Sequence, residues 1–401
     1  MGKFSRKSGN LSMLITQEDL ILSAEKELKE TWEKFEEIRN HNQIKVLKAF
    51  QTVGIQNVHY GWVTGYGYDD LGKDKLDELF ATCFNTEAAI VRNQLVSGTH
   101  AISCAVLGNL SSGDELVAVT GKPYDTLNSV FQSFQEKYKI KYFEGKDKLS
   151  PNTKVALIQR SRGYEWRDSY TLAHIKTLIQ EIRLKSPSAV IFVDNCYGEF
   201  TQILEPTDIG ADIIAGSLIK NPGGGIVAAG AYIAGKKSCV EAAADVLTAP
   251  GIGVHGGCNF DQNRLMLQGF FLAPSVVCEA LKGMSLAAKI FTDAGLESIP
   301  EYSADRNDVI QAIKFNDPEK LIKFCELVQK NSPVNSMFSP IPADISGYPD
   351  QVIMASGSFV EGSSIELSVD GPMRPPYIAY FQGGLSYAHT RYVISEILKY
   401  I

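Results

Sequence analysis

One stretch, residues 189–235, constrains this chain more than any other. It begins with an apolar run that ends in an acid, Ala189-Val190-Ile191-Phe192-Val193-Asp194-Asn195. The segment Cys196-Tyr197-Gly198-Glu199-Phe200 follows. Next comes a second run, Asp212-Ile213-Ile214-Ala215-Gly216-Ser217-Leu218-Ile219-Lys220-Asn221-Pro222, then Gly223-Gly224-Gly225 and a small-residue apolar run to Gly235. Short apolar runs bounded by polar turns read as buried strands. The first delivers Asp194 at its carboxyl end and the second delivers Ser217 and Lys220. In an open α/β sheet, ligands sit outside the carboxyl ends of the strands.

An acid and a lysine delivered there together suggest pyridoxal 5′-phosphate. Its aldehyde needs a lysine for a Schiff base, and its pyridinium nitrogen needs an acidic partner. A cation paired with Asp194 would also lower that acid's pKa. The stretch resembles the pyridoxal-phosphate enzymes of the aspartate-aminotransferase fold (fold type I). More narrowly, the chain is similar to the methionine γ-lyase-like (cystathionine β-lyase-like) family often labelled aluminium resistance proteins. The resemblance rests on Gly65-Tyr66-Gly67-Tyr68-Asp69-Asp70, Ser97-Gly98-Thr99-His100-Ala101-Ile102, residues 193–200, residues 216–225 and Asp370-Gly371-Pro372-Met373-Arg374-Pro375-Pro376-Tyr377. It therefore spans most of the chain.

The expected architecture is α/β: a large domain with a mainly parallel sheet between helices, and a smaller C-terminal α+β domain. The expected division is an N-terminal helical segment, 1–56, a cofactor-binding domain, 57–275, and a linker helix with the small domain, 276–401. At 401 residues the chain is long enough for two domains. Apolar residues make up 44% and charged residues 21%, as in an ordinary globular protein. A formal charge of −7 argues against a general nucleic-acid or anionic-membrane binder. The seven cysteines form no C-x-x-C pair, so reduced, buried thiols in a cytoplasmic protein are expected, with no metal site. Met1–Asn10 lacks the apolar core of a secretory signal, and no run of eighteen uncharged apolar residues occurs.

Along the chain, Glu- and Lys-rich sequence with helix-like apolar spacing predicts a helix over Thr16–Phe50. The segment 57–72 is rich in glycine and tyrosine. Helices are expected at Lys73–Phe84, from Ser97 to about Leu110, and over Thr171–Lys185, Cys239–Leu247 and Pro274–Ala294. Strands are expected at Ala88–Gln94, Glu115–Thr120 and Lys154–Gln159. The C-terminal part reads as antiparallel strands at Asp308–Phe315, Gln351–Phe359 and Ser363–Val369, covered by helices Pro318–Asn331 and Leu385–Leu398. No G-x-G-x-x-G in the right context, P-loop or G-x-S-x-G elbow is present.

Several residues follow as site candidates. Ser97, Gly98 and Thr99 open a helix, where unpaired N–H groups and the macrodipole favour a phosphate, although Ser97 or Thr99 could equally be a plain N-cap. Ser217 is expected to join them. Arg160, after a strand, could meet a carboxylate or belong to a solvated loop. Arg374, held between prolines, is the natural bidentate partner of an α-carboxylate. The resemblance implies that Tyr124 stacks on the cofactor ring and protonates the leaving thiolate. It also implies that Tyr66 and Tyr68 reach a neighbouring subunit's cofactor phosphate. The family's arginine in that segment is absent between Asn57 and Asp70.

The function implied is a lyase that performs β- or γ-elimination on a sulfur-containing amino acid, in a homo-oligomer with paired active sites, a tetramer by resemblance. Lys220 is the expected Cα base. Transamination, substitution, or a non-catalytic role in metal tolerance are the alternatives.

Overall fold

The structure, a computed structural model, describes residues 16–400. The reading of Met1–Asn10 lies outside them. The predicted first helix is two: α1 (Gln17–Glu27), started by a Thr16–Asp19 capping box, and α2 (Lys29–Val53), stopped by left-handed Gly54. The break at Leu28 lets the two helices serve different cores. Ile21, Ala24 and Leu28 pack with the C-terminal part, whereas Phe35, Val46 and Ala49 pack with the large sheet.

The large sheet has seven strands. β1 (Ala88–Arg92) and β2 (Glu115–Ala118) flank helix α4 (Gly98–Gly108); α3 (Leu71–Cys83) precedes them. α5 (Asp125–Tyr138) leads to an edge strand, β3 (Lys141–Glu144), then to β4 (Thr153–Gln159). α6 (Leu172–Lys185), β5 (Val190–Asp194), β6 (Ile213–Ser217), β7 (Ala231–Gly235) and α7 (Lys237–Leu247) complete it. The strand order is β1-β7-β6-β5-β4-β2-β3, with β7 antiparallel to both neighbours and the other pairings parallel. Strands β4 to β6 are almost wholly buried, which is why they read as apolar runs.

α8 (Asn263–Asp293) starts eleven residues before the expected position and carries Pro274 within it. Met266, Leu267 and Phe270 set the apolar face of that added length. An eighteen-residue window of this region is apolar enough to cross a membrane, but 67% of it is buried inside the protein, as in a core helix. Its length up to Leu281 packs into the large sheet's core, through Phe270 and Leu281 among others. Its second half enters the small core through Met284, Leu286 and Phe291.

The small sheet has order β10-β11-β12-β9-β8 and is antiparallel throughout: β8 (Glu297–Ile299), β9 (Ile310–Lys314), β10 (Val352–Ser356), β11 (Ser368–Pro372) and β12 (Ile378–Gln382). α9 (Pro318–Lys330) and α10 (Tyr387–Ile397) add apolar residues to its core. The third expected strand, Ser363–Val369, is displaced. Glu366 accepts hydrogen bonds from Phe359 N (2.8 Å) and Val360 N (2.9 Å), which pins 359–366 as a loop, and the strand starts at Ser368.

Candidate active site

Three parallel strands end side by side at the site. Gln159 of β4 pairs with Asp194 of β5, and Asp194 pairs with Ala215 of β6, two residues before Ser217. The chain then turns, so that Asp194, Ser217 and Lys220 line one cavity of about 780 Å³ between the two sheets. Ser97, Gly98, Thr99 and Tyr124 line the same cavity. Seven of the residues expected at the site therefore meet in one place.

The N-terminus of α4 abuts the strand ends because residue 98 has no side chain. A Cβ there would lie 3.2 Å from Cys196 Sγ and 3.4 Å from Ser217 Cβ. Ser97 is the N-cap, accepting from His100 N (3.1 Å), and Thr99 Oγ1 bonds Thr126 Oγ1 (2.9 Å). The N-cap reading of Ser97 is the one observed, and a capping hydroxyl still has its own proton to donate. N–H groups, hydroxyls and the helix dipole thus form a cradle suited to a phosphate.

Asp194 Oδ1 accepts from Cys196 N (3.1 Å). Burial raises its pKa, and Lys220 and the Cys196 N–H only partly oppose this. In the chain alone desolvation outweighs the one nearby cation, and the lowered value expected of Asp194 belongs to its pairing with a protonated ring nitrogen. Lys220 Nζ lies 3.8 Å from the centroid of the Tyr197 ring. Burial disfavours its ammonium, but Cys196, Tyr197 and Asp194 more than offset this and hold its pKa above the ordinary value.

Tyr124 is fixed by its backbone N–H, which donates to Gln159 Oε1 (2.6 Å), and its hydroxyl is hydrogen-bonded to that of Tyr348. Burial holds its pKa well above the ordinary phenol range. Tyr164 packs edge-on against it at 5.4 Å, and Tyr348 lies against both.

Two arginines depart from expectation. Arg160 is fully buried beneath the turn after Asp194; it donates to Asn195 Oδ1 (2.8 Å) and Thr201 Oγ1 (3.2 Å) and lies 3.6 Å from Glu205. It braces that turn and does not line the cavity. Arg374 lies in a separate depression of about 300 Å³ behind Tyr164 and Tyr380, where it pairs with Asp350 (2.8 Å) and Asp125 (3.8 Å). The chain leaves β11 at Pro372, before Arg374, and carries the guanidinium to the far side of those tyrosines. Neither arginine is placed to receive a carboxylate in the cavity.

Tyr66 and Tyr68 also lie outside their own chain's cavity. Their rings stack at 5.5 Å, Tyr66 is 78% exposed, and Gly67 rests against the backbone of Gly257 and Cys258.

Sequence reading did not single out Asp370, Gln382 or Tyr348 as site residues, yet all three line the cavity. An acid between Val369 and Gly371 in an otherwise apolar strand was the available signal for Asp370. All seven cysteines are buried and unbonded. Among the described residues, no three His, Cys, Asp or Glu side chains come together as metal ligands.

A strand-end acid, a lysine in the same cavity and a helix-end cradle, on this sheet order, define a pyridoxal 5′-phosphate enzyme of fold type I. The donor set fits the cofactor: Lys220 for its aldehyde, Asp194 for its ring nitrogen and the cradle for its phosphate. The chain belongs to the methionine gamma-lyase family, whose model matches residues 17–401. It is 45% identical over 379 residues to the uncharacterized protein YnbB of Bacillus subtilis, covering 90% of each chain. A candidate cystathionine beta-lyase involved in aluminum resistance from Listeria monocytogenes superposes with a TM-score of 0.93 at 43% identity, covering 95% of this chain and 99% of that one. A carbon-sulfur lyase involved in aluminum resistance from Clostridium novyi gives 0.91 at 43% identity and 95% coverage of both chains. The fold extends to a Campylobacter jejuni protein 14% identical, with a TM-score of 0.57 over 80% of this chain and 85% of that one, whose structure carries a pyridoxyl-lysine.

Proposed function

We propose that the protein is a carbon–sulfur lyase acting on a sulfur-containing amino acid of the methionine, cystathionine or cysteine type. Elimination would release a thiol, ammonia and a 2-oxo acid. The observation that carries this reading is the presence of a proton donor and a base in one cavity. Tyr124, kept protonated by burial, lines the same space as Lys220. The names of the Listeria and Clostridium proteins support it.

Bound between Asp194, Lys220 and the cradle, the cofactor would supply an electron sink for the bond broken at Cα. The chain's own groups do the rest. Gly98, Thr99 and Ser217 hold the phosphate end. Asp194 holds a proton on the ring nitrogen. Lys220 Nζ, once in its neutral amine form, takes the proton from Cα, and Tyr197 sets where that nitrogen sits. Tyr124 Oη donates its proton to the departing sulfur, and Tyr348 is positioned to restore it.

The assembly we propose is a homo-oligomer, a tetramer built from dimers with paired active sites. Exposed Tyr66 and Tyr68 would face the partner's cofactor phosphate and supplement the cradle. The partner ligands are small amino acids, with no nucleic acid or membrane involved, and the setting is cytoplasmic.

The test is an absorbance scan before and after borohydride reduction, followed by peptide mapping and product analysis with thioether amino acids. A visible-edge band fixed at Lys220, with pyruvate or 2-oxobutyrate formed in step with a thiol, is expected. A stoichiometric half-reaction that leaves the pyridoxamine form of the cofactor would overturn the lyase reading.

A further inference from the structure

The cavity wall opposite Lys220 is one face of the small sheet, and its register makes it a patterned surface. Two cross-strand rows face inward. Ser356, Ser368 and Gln382 form the first; Met354, Asp370 and Tyr380 form the second. The alternation of strand side chains puts Ser368 and Asp370 on the same side. Gln382 Nε2 donates to Asp370 Oδ2 (3.3 Å), and the Tyr164 hydroxyl beside the carboxylate also favours its charged form.

Ser368 and one further side chain, Ser364, are built into this wall without partners. Ser364 and Ser368 are 3% and 4% exposed, both line the cavity, and neither hydroxyl oxygen has a hydrogen-bond partner. Buried hydroxyls without partners are costly unless a ligand completes them. The charges on the cavity wall are unequal. Among the described residues that line it, Lys220 is the one cation, facing Asp194, Asp370 and Glu361. In the lyase reading Lys220 and Asp194 are committed to the cofactor, which leaves Asp370 without a counter-charge. An ammonium group, with three protons to donate and one positive charge, matches a carboxylate that shares its wall with two hydroxyls. A carboxylate there would be repelled.

The geometry points to a substrate whose sulfur-linked arm ends in an amine without an accompanying carboxylate, held by Asp370 with Ser364 and Ser368. This rests on the lyase reading and adds the class of leaving thiol, an aminothiol. Asp370 is here a specificity residue; the bond-breaking groups remain Lys220 and Tyr124.

Three cysteine thioethers of matched length test it on the holoenzyme: S-(2-aminoethyl)cysteine, S-propylcysteine and S-(2-carboxyethyl)cysteine. Two non-cleavable analogues, L-lysine and L-2-aminoheptanoate, give a binding readout independent of turnover. The expected result is kcat/KM for the amine about tenfold or more above the neutral thioether, with the acid lowest, and the same order in inhibition constants. Asp370→Asn should bring the amine-to-neutral ratio close to one. Because the ratio is taken within one variant, a general loss of activity does not mimic the effect. Ser364→Ala, which removes a hydroxyl near Tyr197, should narrow the ratio severalfold and serves if Asp370→Asn does not fold. A preference for the neutral or acidic arm, or an amine preference unchanged in these variants, overturns the inference. If no probe is cleaved but lysine still binds in an Asp370-dependent way, the amine-binding subsite stands, and the lyase reading falls together with the aminothiol assignment.

Discussion

Lys220 Nζ rests over the face of Tyr197, 3.8 Å from the ring centroid, and Tyr197 itself has a left-handed backbone (φ 71°). A non-glycine residue in that region is held there by its surroundings. Here it turns the ring under the lysine directly after the strand that delivers Asp194. A cation over a desolvated aromatic face is stabilised by about 2 kcal/mol. Tyr197→Phe keeps the face and should leave cofactor affinity within about twofold, whereas Tyr197→Ala should weaken it by about tenfold. An absorbance titration of cofactor-free protein with pyridoxal phosphate reads both.

The cradle and the acid are expected to separate binding from chemistry. Gly98→Ala places a methyl group 3.2 Å from Cys196 Sγ and 3.4 Å from Ser217 Cβ, so α4 must back away from the strand ends. The expected outcome is weaker cofactor binding with little change in turnover at saturating cofactor. Asp194→Asn retains an acceptor for Cys196 N but cannot stabilise a protonated ring nitrogen. It should bind cofactor and lose kcat by on the order of a thousandfold. Equilibrium dialysis beside steady-state kinetics distinguishes the two.

Glu199 predicts a pH dependence of stability. Its carboxyl accepts from Tyr232 Oη (2.9 Å), its other oxygen has no partner, and burial pushes its pKa up to about 8. The folded state therefore holds this proton more tightly than the unfolded chain does. Its contribution is fully present below the ordinary carboxylate range and is lost as pH rises through about 8. Glu199→Gln mimics the protonated acid. Relative to the parent it should gain stability between pH 6 and 8, on the order of 2 kcal/mol, with the difference shrinking toward pH 5. Denaturant melts across that range measure it.

The two misplaced arginines give opposite predictions. Arg160→Met removes one partner of a buried pair and leaves Glu205 facing an apolar group. The expected loss is about 3–5 kcal/mol of stability. Arg374→Ala disrupts a partly exposed pairing with Asp350 and Asp125, and should cost about 1 kcal/mol or less. In the lyase reading its KM should stay within about threefold of the parent. Thermal melts and kinetics on a cleaved thioether check both.

The central strands of the large sheet were legible because they are buried on both faces and end in the residues they deliver. Asp194, Lys220 and the Gly98 cradle could be read from local order alone. Direction was not legible. Arg160 and Gln159 are neighbours at the end of β4, and nothing local says that the arginine turns beneath the sheet while the amide turns toward Tyr124. The edge strand β3, half exposed and rich in Lys and Glu, carries no apolar run, and neither it nor α5 was expected. Asp370 was missed because Glu366 ties its carboxylate to the loop before it, a tertiary choice that shifts the strand by five residues. β12, unassigned from sequence, follows the Arg374 turn and brings Tyr380 and Gln382 to the wall.

α8 belongs to both cores, with Phe270 anchored under one sheet and Phe291 under the other. The chamber for the substrate's arm is therefore spanned by a single stiff rod, and its width is a mechanical property of that rod. Gly283, near the changeover, lies so close to Thr390 of α10 that a methyl group there would sit 2.7 Å from Thr390 Cγ2. A change of one carbon at this contact would push α10, which packs into the small sheet's core, away from α8. In the lyase reading, the shape of the cavity thus depends also on a helix–helix contact made by residues that do not line it.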